Sequence, residues 1–396
     1  MGIAEGIGLM EPMLPPDGER ELEDLAMDLA TKSSGLASQL PQTVRRGIGD
    51  LVRSMNCYYS NLIEGHDTHP RDIDRALAHD DYSTDPRKRA LQREAVAHIE
   101  VQRLIDHRED LSAEPTSTEY ITWLHHEFCR RLPDELLWAE NPDTGERLPV
   151  RGGELRTGWV QVGRHIPPSL EALPRFLHRF AEAYDTKKLS RVRQIIAFGA
   201  AHHRLLWIHP FYDGNGRVTR LMSHASLLRC GIGSSLWSVA RGLARNVQDY
   251  KKLLMAADDP RRGDWDGRGA LSTRGLIDFC IFFMTVCIDQ IEFMASLLET
   301  SGLLRRMRLH TEEETQAGRL PKGSFFLLRE ALLAGEVPRG KAGEITGYGE
   351  RMARSVVSDL IKKGYLKSGS TRAPLVLGFP IDAVERWLPK LYPSTA

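Results

Sequence analysis

The twelve residues HPFYDGNGRVTR, positions 209–220, bring together an imidazole, a carboxylate, an amide, two glycines and two guanidinium groups. Each type has a role in handling a phosphate chain. Pro210 disfavours a helical conformation at His209 and leaves the histidine on the loop side of a helix boundary. Gly214 and Gly216 let backbone N–H groups approach a bulky anion, and a helix starting there points its positive end at the same place. Arg217 and Arg220 are three apart, so they share a face of the first turn and can grip two phosphates of one chain. Asp213 lies where one carboxylate can hold magnesium already bound to phosphate. His209 is the group in this stretch that can take a proton near neutral pH. A phosphate cradle, one metal carboxylate and one base amount to nucleotidyl or phosphoryl transfer to a hydroxyl.

Two rival readings are weaker. A glycine-rich turn opening a helix with solvated arginines accounts for the glycines but not for the histidine and aspartate beside them. A zinc site on His202, His203 and His209 lacks the i, i+4 histidine pair of a zinc helix and has no carboxylate in register. His202 and His203 are better read as packing groups or supports for the loop.

The stretch resembles the signature of the Fic family, H-x-F-x-D/E-G-N-G-R-x-x-R, with His209, Phe211, Asp213, Gly214, Asn215, Gly216, Arg217 and Arg220 at its fixed positions. Family members are mostly protein adenylyltransferases, which move AMP from ATP to a Ser, Thr or Tyr hydroxyl and release pyrophosphate. The resemblance implies that His209 is the base and that Phe211 anchors the loop. It implies that Asp213 holds Mg2+, that Gly214, Asn215 and Gly216 cradle the α- and β-phosphates, and that Arg217 and Arg220 reach the β- and γ-phosphates. The alternating Trp159, Val160, Gln161 and Val162 resemble, by position and pattern, the family flap that pairs with a target segment as an added strand.

A second signal, SNLIEGH at 60–66, puts Glu64 in the last turn of a helix, where the dipole disfavours an anion by roughly 0.3–1 kcal/mol. Either water or a cation compensates. Tyr58, Tyr59, Leu62 and Ile63 make this helix end apolar, which argues for docking. Ser60, Glu64 and Gly65 match the family's inhibitory motif S/T-x-x-x-E-G/N. The resemblance then implies that Glu64 pairs with Arg220 and blocks the γ-phosphate, as in the self-inhibited class with an N-terminal inhibitory helix.

The elements that must position these residues read as mainly α. Helical spacing runs over Pro41–Ile63, Ile73–Leu77, Lys88–Ile105, from Thr118 as a cap, over Leu170–Tyr184, Arg191–Trp207 and Gly216–Leu228. Turn residues followed by a short alternating strand at Trp159–Val162 give a β-hairpin flap over about 145–168. The resulting division is a loose N-terminal tail over 1–40, an N-terminal helical region over 41–110 with the inhibitory helix at 41–64, and a catalytic core over 111–300. A linker follows at 301–317. Residues 318–396 carry helix, helix, helix and hairpin, the winged helix-turn-helix order.

In that last region Ala353, Val356, Val357, Leu360 and Ile361 form one stripe, with Arg351, Arg354, Ser355 and Ser358 opposite. Residues 318–373 hold eleven Lys and Arg against five Asp and Glu, a modest basic footprint suited to DNA. A protein-interaction or homodimer role fits the same order equally well.

Composition sets the bounds. The 396 residues balance 53 Lys and Arg with 53 Asp and Glu, so no global field draws the molecule to nucleic acid or membrane. Five cysteines without C-x-x-C spacing read as reduced thiols in a cytoplasmic protein. The N-terminus lacks the pattern of a signal peptide. The most apolar stretch, from Leu276, has ten residues between Asp278 and Asp289, short of the ~20 a span needs. It reads as a buried helix with Cys280 and Cys287 in the core.

The expectation is therefore a mainly helical protein adenylyltransferase using ATP and Mg2+. It would act on a target protein hydroxyl or on itself, be restrained by Glu64, and have no membrane partner. The alternative is a nucleotide-sensing, DNA-binding regulator without transfer, or a relative that uses another nucleotide or removes AMP.

Overall fold

The computed structural model describes residues 6–79, 82–141 and 144–392; Met1–Glu5 of the expected tail and the last four residues of the C-terminal region lie outside it. Helices dominate. In chain order they are α1 (Arg20–Ala37), α2 (Gln42–Ile63), α3 (Pro70–His79), α4 (Pro86–Asp106) and α5 (Thr118–Cys129), followed by strands β1 (Trp138–Glu140) and β2 (Arg147–Pro149). Next come α6 (Leu173–Ala183), α7 (Arg191–Ile208), α8 (Asn215–Arg229), α9 (Val239–Arg245), α10 (Val247–Asp258), α11 (Thr273–Leu298) and α12 (Thr300–Gln316). The chain closes with α13 (Ser324–Ala334), α14 (Ala342–Thr346), α15 (Glu350–Lys362), β3 (Leu366–Lys367), β4 (Val376–Leu377) and α16 (Ile381–Trp387).

Two compact units emerge: one from the chain up to Ser33 with 56–234 and 238–290, the other from 34–55, 235–237 and 291–396. The first is built around α7 and α8. Helix α7 buries Ile195, Ala197, Gly199, Ala201, Leu205 and their neighbours almost all round, as a central helix must. Its N-terminus is fixed by Ser190, whose hydroxyl accepts from the Arg193 N–H at 3.3 Å. Helix α4 starts with Asp85 accepting from the Arg87 and Lys88 N–H groups and with Pro86 in the first turn. At α5 the cap is Ser117, not Thr118, because its hydroxyl accepts from the Tyr120 N–H at 3.1 Å.

The first unit departs from expectation twice. The stretch read as a loose tail contains α1, and Leu22, Ala26 and Leu29, spaced four and three apart, are buried. Upstream of α1, Met10 and Met13 are also buried. The Arg204 guanidinium donates to the Pro12 carbonyl at 2.8 Å, and Arg179 donates to Glu11 at 2.6 Å, so this segment is strapped across α6 and α7. The hairpin also moves. The paired strands are β1 and β2, antiparallel with Ala139 opposite Leu148, whereas Trp159–Val162 forms no strand and makes a single bridge from Val162 to His165. Alternation in sequence gave that segment strand character, but a strand needs a partner row of hydrogen bonds.

Helix α11 is long and apolar enough to cross a membrane by length and composition, with a mean hydropathy of 1.7 over its most apolar window. Leu276, Phe279, Cys280, Phe283, Met284 and Cys287 are nevertheless all buried, the packing of a core helix. All five cysteines are buried free thiols.

In the second unit the expected linker is helix α12, which buries Leu303 and Met307 and donates from Arg306 Nε to the Trp387 carbonyl at 2.6 Å. Helices α13, α14 and α15 precede the β3–β4 pair, in register at Leu366 with Leu377. Leu327, Leu328, Ala331, Val356, Leu360 and Leu377 are buried there. Residues 34–55 belong to the same unit: Thr43 Oγ1 donates to the Gly335 carbonyl at 2.7 Å.

Candidate active site

The loop between α7 and α8 is shaped by a few short contacts. His209 ends α7 with left-handed backbone angles, φ 48° and ψ 64°, and its N–H still donates to the Leu205 carbonyl at 3.1 Å. Phe211 is fully buried and stacks on His125 with ring centres 3.8 Å apart. Asn215 closes the loop on itself: its Nδ2 donates to the Phe211 carbonyl at 2.9 Å, and its Oδ1 accepts from the Phe211 N–H at 3.0 Å. Gly214 then caps α8 at φ 81°, a conformation that favours glycine. The first N–H groups of α8 therefore remain available to an anion.

A carboxylate already sits at that helix end. A Cβ placed on Gly216 would fall 2.2 Å from Glu64 Oε1, so the glycine makes room for an acceptor oxygen. Glu64 follows directly on α2 and is joined to Arg220, whose Nη2 donates to Oε1 at 2.5 Å. Ser60 holds the same guanidinium, with its Oγ accepting from Nε at 2.8 Å and its carbonyl accepting from Nη2 at 3.0 Å. Burial alone would raise the Glu64 carboxyl, but the Arg220 charge and hydrogen bond outweigh it and hold the group below the usual carboxylate range.

Arg217 points into a second, deeper pair. Its Nη2 donates to both Asp213 oxygens at 3.1 Å, and its Nη1 donates to Glu94 of α4. Glu94 is buried in mid-helix, and its other oxygen meets His66 Nδ1 at 2.9 Å. Burial lowers Arg217 to about 10, which leaves it charged at neutral pH.

His209 is held neutral. Burial is the main cause, the nearby Arg156 charge adds to it, and the imidazole falls to about 4. It opens onto a cleft of about 360 Å³ lined by Leu148 of β2, by Trp159, Val160 and Gln161, and by Tyr212. Trp159 is 62% exposed. His202 and His203 face elsewhere. His202 bonds Ser223 and Tyr250, and His203 bonds the Leu254 carbonyl, which supports α7 and α10 instead of a metal.

The first unit thus brings His209, Asp213, Gly214, Asn215, Gly216, Arg217 and Arg220 to one helix end, with Ser60, Glu64 and Gly65 beside it. Trp159, Val160 and Gln161 line the cleft at His209, and Val162 does not. Sequence reading missed Glu94, His66, His125 and Arg156. Only Glu94 left a trace: it shares a helix face with Leu91, Ala95, His98 and Gln102, where an acid needs a partner.

Comparison with known proteins agrees with this geometry. Residues 115–227 match the Fic/DOC family. Over 83 residues the chain is 40% identical to the protein adenylyltransferases Fic of Drosophila erecta and Drosophila melanogaster, which is 21% of this chain and 17% of each relative. The chain therefore spans about a sixth of the length of these curated relatives. Among solved structures, a Fic family protein from Desulfovibrio desulfuricans G20 shares the fold with a TM-score of 0.54 and 15% identity, over 92% of this chain and 98% of its own. A Fic domain containing signaling protein from Bacteroides thetaiotaomicron does so with a TM-score of 0.50 and 19% identity, over 68% and 95%. The match to the Fic/DOC family thus rests on the domain at 115–227, which contains the run from His209 to Arg220.

Proposed function

We propose that this chain transfers AMP from ATP to a hydroxyl of a target protein and that Glu64 restrains it. The observation that carries the reading is the position of the Glu64 carboxylate, which meets Arg220 and the Gly216 cradle together. An acceptor oxygen there stands in for a phosphate oxygen. ATP would place its phosphates on the first turn of α8, and Arg220 would take the γ-phosphate only once Glu64 has turned away.

His209, neutral and facing the cleft, would accept the proton of a target hydroxyl as its oxygen attacks the α-phosphorus and pyrophosphate leaves. Asp213 suits magnesium. It is 51% exposed, and one carboxylate together with phosphate oxygens and water is a usual shell for that ion. Bound there, magnesium would neutralise charge on the phosphates. Trp159–Val162, of which Trp159, Val160 and Gln161 line the same cleft and Val162 makes only a single bridge, would dock the target backbone.

The test is intact mass and label incorporation from α-labelled ATP with magnesium, comparing wild type with Glu64→Gly. Modification that rises in the variant supports the reading. A variant that binds ATP yet transfers no label from it would move the chain to nucleotide sensing.

For the second unit the element order supports a winged helix whose α15 presents Arg351, Arg354, Ser355 and Ser358, all exposed, to DNA. Binding of duplex DNA that weakens with salt, and is lost in an Arg351→Ala, Arg354→Ala variant, is the expected result. Salt-independent association of the protein with itself would instead make this unit a dimer module.

A further inference from the structure

The segment that lines the cleft is tied to the loop that carries the histidine, and one side chain makes most of the ties. Arg156 is buried. Its Nε donates to the His209 carbonyl at 2.9 Å, its Nη1 to the Gly158 carbonyl at 3.2 Å, and its Nη2 to the Pro168 carbonyl. Its own backbone N–H donates to the Pro210 carbonyl at 2.9 Å. One residue therefore holds the carbonyls of His209 and Pro210 on one side and both ends of the 158–168 segment on the other. Toward the far end of that segment His165 Nε2 bonds the Trp207 carbonyl at 2.7 Å, and at the near end Thr157 meets Tyr212 hydroxyl to hydroxyl at 3.1 Å.

We infer that Arg156 is a positioning residue that sets His209 at a fixed distance from the target-docking segment Trp159–Val162. The inference rests on the reading of His209 as the base in adenylyl transfer. Two features argue for more than packing. His209 has a positive φ, a conformation that a non-glycine residue keeps only when its surroundings over-determine it, and Arg156 grips the two successive carbonyls of His209 and Pro210. The planar fork of a guanidinium also reaches several carbonyls in fixed directions, which a lysine point charge cannot copy. The phosphate cradle is held separately by Asn215 and Phe211. Loss of Arg156 should therefore misplace the base relative to the target and leave nucleotide binding alone.

The experiment uses the full chain in the Glu64→Gly background, with Arg156→Ala, Arg156→Lys and, as a control, Arg229→Ala. Arg229 is a guanidinium bound to the Ala113 and Leu111 carbonyls and to Asp110, away from the cleft. A misplacement of the order of 1 Å costs about 10²-fold. The expected result for Arg156→Ala is a kcat lower by roughly that factor, with ATP affinity within twofold of the parent. Arg156→Lys should recover part of the rate, and Arg229→Ala should lose melting temperature without losing kcat. Hydrogen exchange should quicken together in peptides covering 156–168 and 205–214 of Arg156→Ala and stay unchanged over 86–106.

Unchanged kcat in folded Arg156→Ala overturns the inference. So does a joint fall of kcat, ATP affinity and melting temperature, or exchange that changes in only one of the two peptides. If Arg156→Ala does not fold, Arg156→Lys decides: a lower kcat at unchanged ATP affinity supports positioning, and the parent rate refutes it. If Glu64→Gly itself transfers no label, the adenylyl-transfer reading fails, and the exchange result still decides whether Arg156 ties the two segments.

Discussion

Arg217 and Arg220 lie three residues apart in the first two turns of α8, and each meets a glutamate from elsewhere in the chain, yet the two pairs are built for different lives. Glu94 projects from the middle of a helix, its side chain is 2% exposed, and His66 and Arg217 satisfy its two oxygens. Glu64 hangs on the turn after α2, is 33% exposed, and is followed by Gly65 at φ 87°. Moving Glu94 would strand a charge in the core. Moving Glu64 requires only a turn of one side chain toward water. The difference separates a buried anchor at Arg217 from a partly exposed partner of Arg220 that one side-chain rotation can remove.

The largest expected effect concerns neither pair and isolates them from the chemistry. His209→Ala should lower transfer by about 10²–10⁴-fold while ATP affinity stays, because the cradle and both arginines do not depend on the imidazole. Calorimetric ATP binding alongside label transfer checks this. Turnover at the parent rate would assign the proton to another group.

Next in size is the anchor. Glu94→Ala should cost about 3–5 kcal/mol of stability, since it leaves the Arg217 guanidinium buried without its deeper partner. It should not speed transfer in whatever fraction folds. Denaturant unfolding measures the first and label transfer the second. A Glu94→Ala protein that melts normally and works faster would make both glutamates occupants and dissolve the contrast.

The latch comes third. Glu64→Gly should raise transfer by up to ~10²-fold, because a restraint at that level needs only ~2.7 kcal/mol. Arg220→Ala should not, since it breaks the same pair but also removes a phosphate ligand. Rates of self-modification, with melting temperatures as control, separate the two. Equal activation in both variants would mean that Arg220 is dispensable to ATP.

How visible these pairs are in the sequence follows from their construction. The latch could be read because Glu64 breaks a local rule, an acid at a helix end whose dipole disfavours it, within a recognisable run from Ser60 to Gly65. Its partner, Arg220 of α8, lay in a motif whose residue types already pointed to phosphate. Glu94 breaks a rule as well, but its partner is 123 positions away and nothing local names it. Arg156 could not be read at all. It stands in a turn-rich stretch without periodicity, and its partners are backbone carbonyls, which every residue has. The helices α2, α7 and α8 were legible from apolar spacing and caps. Helix α1 was overlooked because acids dominate its first half and mask the stripe of Leu22, Ala26 and Leu29. The segment at Trp159–Val162 shows the opposite failure, a strand pattern that finds only the bridge from Val162 to His165 among the described residues.

The smallest effect is the most discriminating, because pH acts on both the latch and the base and the two can be told apart. The Glu64 carboxyl lies below its ordinary 4.5 because of Arg220. A depressed carboxylate contributes its stabilisation above the unfolded pKa and loses it as pH falls through the folded one. The ratio of the Glu64→Gly rate to the wild-type rate should therefore be constant from pH 8 to about 5 and shrink only below about 4.5. His209 is shifted in the same direction, but its titration bears on the base and not on the restraint. Burial, with Arg156, lowers it from 6.5 to about 4, so the unfolded chain binds more protons than the native one between those values. Its neutral form persists across that window, and the acid limb of kcat/KM in Glu64→Gly should sit near 4 instead of 6.5, since kcat/KM reports the free enzyme. Measuring kcat/KM for both proteins from pH 4 to 8, with circular dichroism to confirm folding at the acid end, gives the two curves together. A limb near 6.5 in Glu64→Gly would show that His209 is open to water in the working enzyme. A wild-type rate that climbs between pH 7 and 5 would show that a histidine such as His66, beside Glu94, controls the restraint in place of the Glu64 carboxylate.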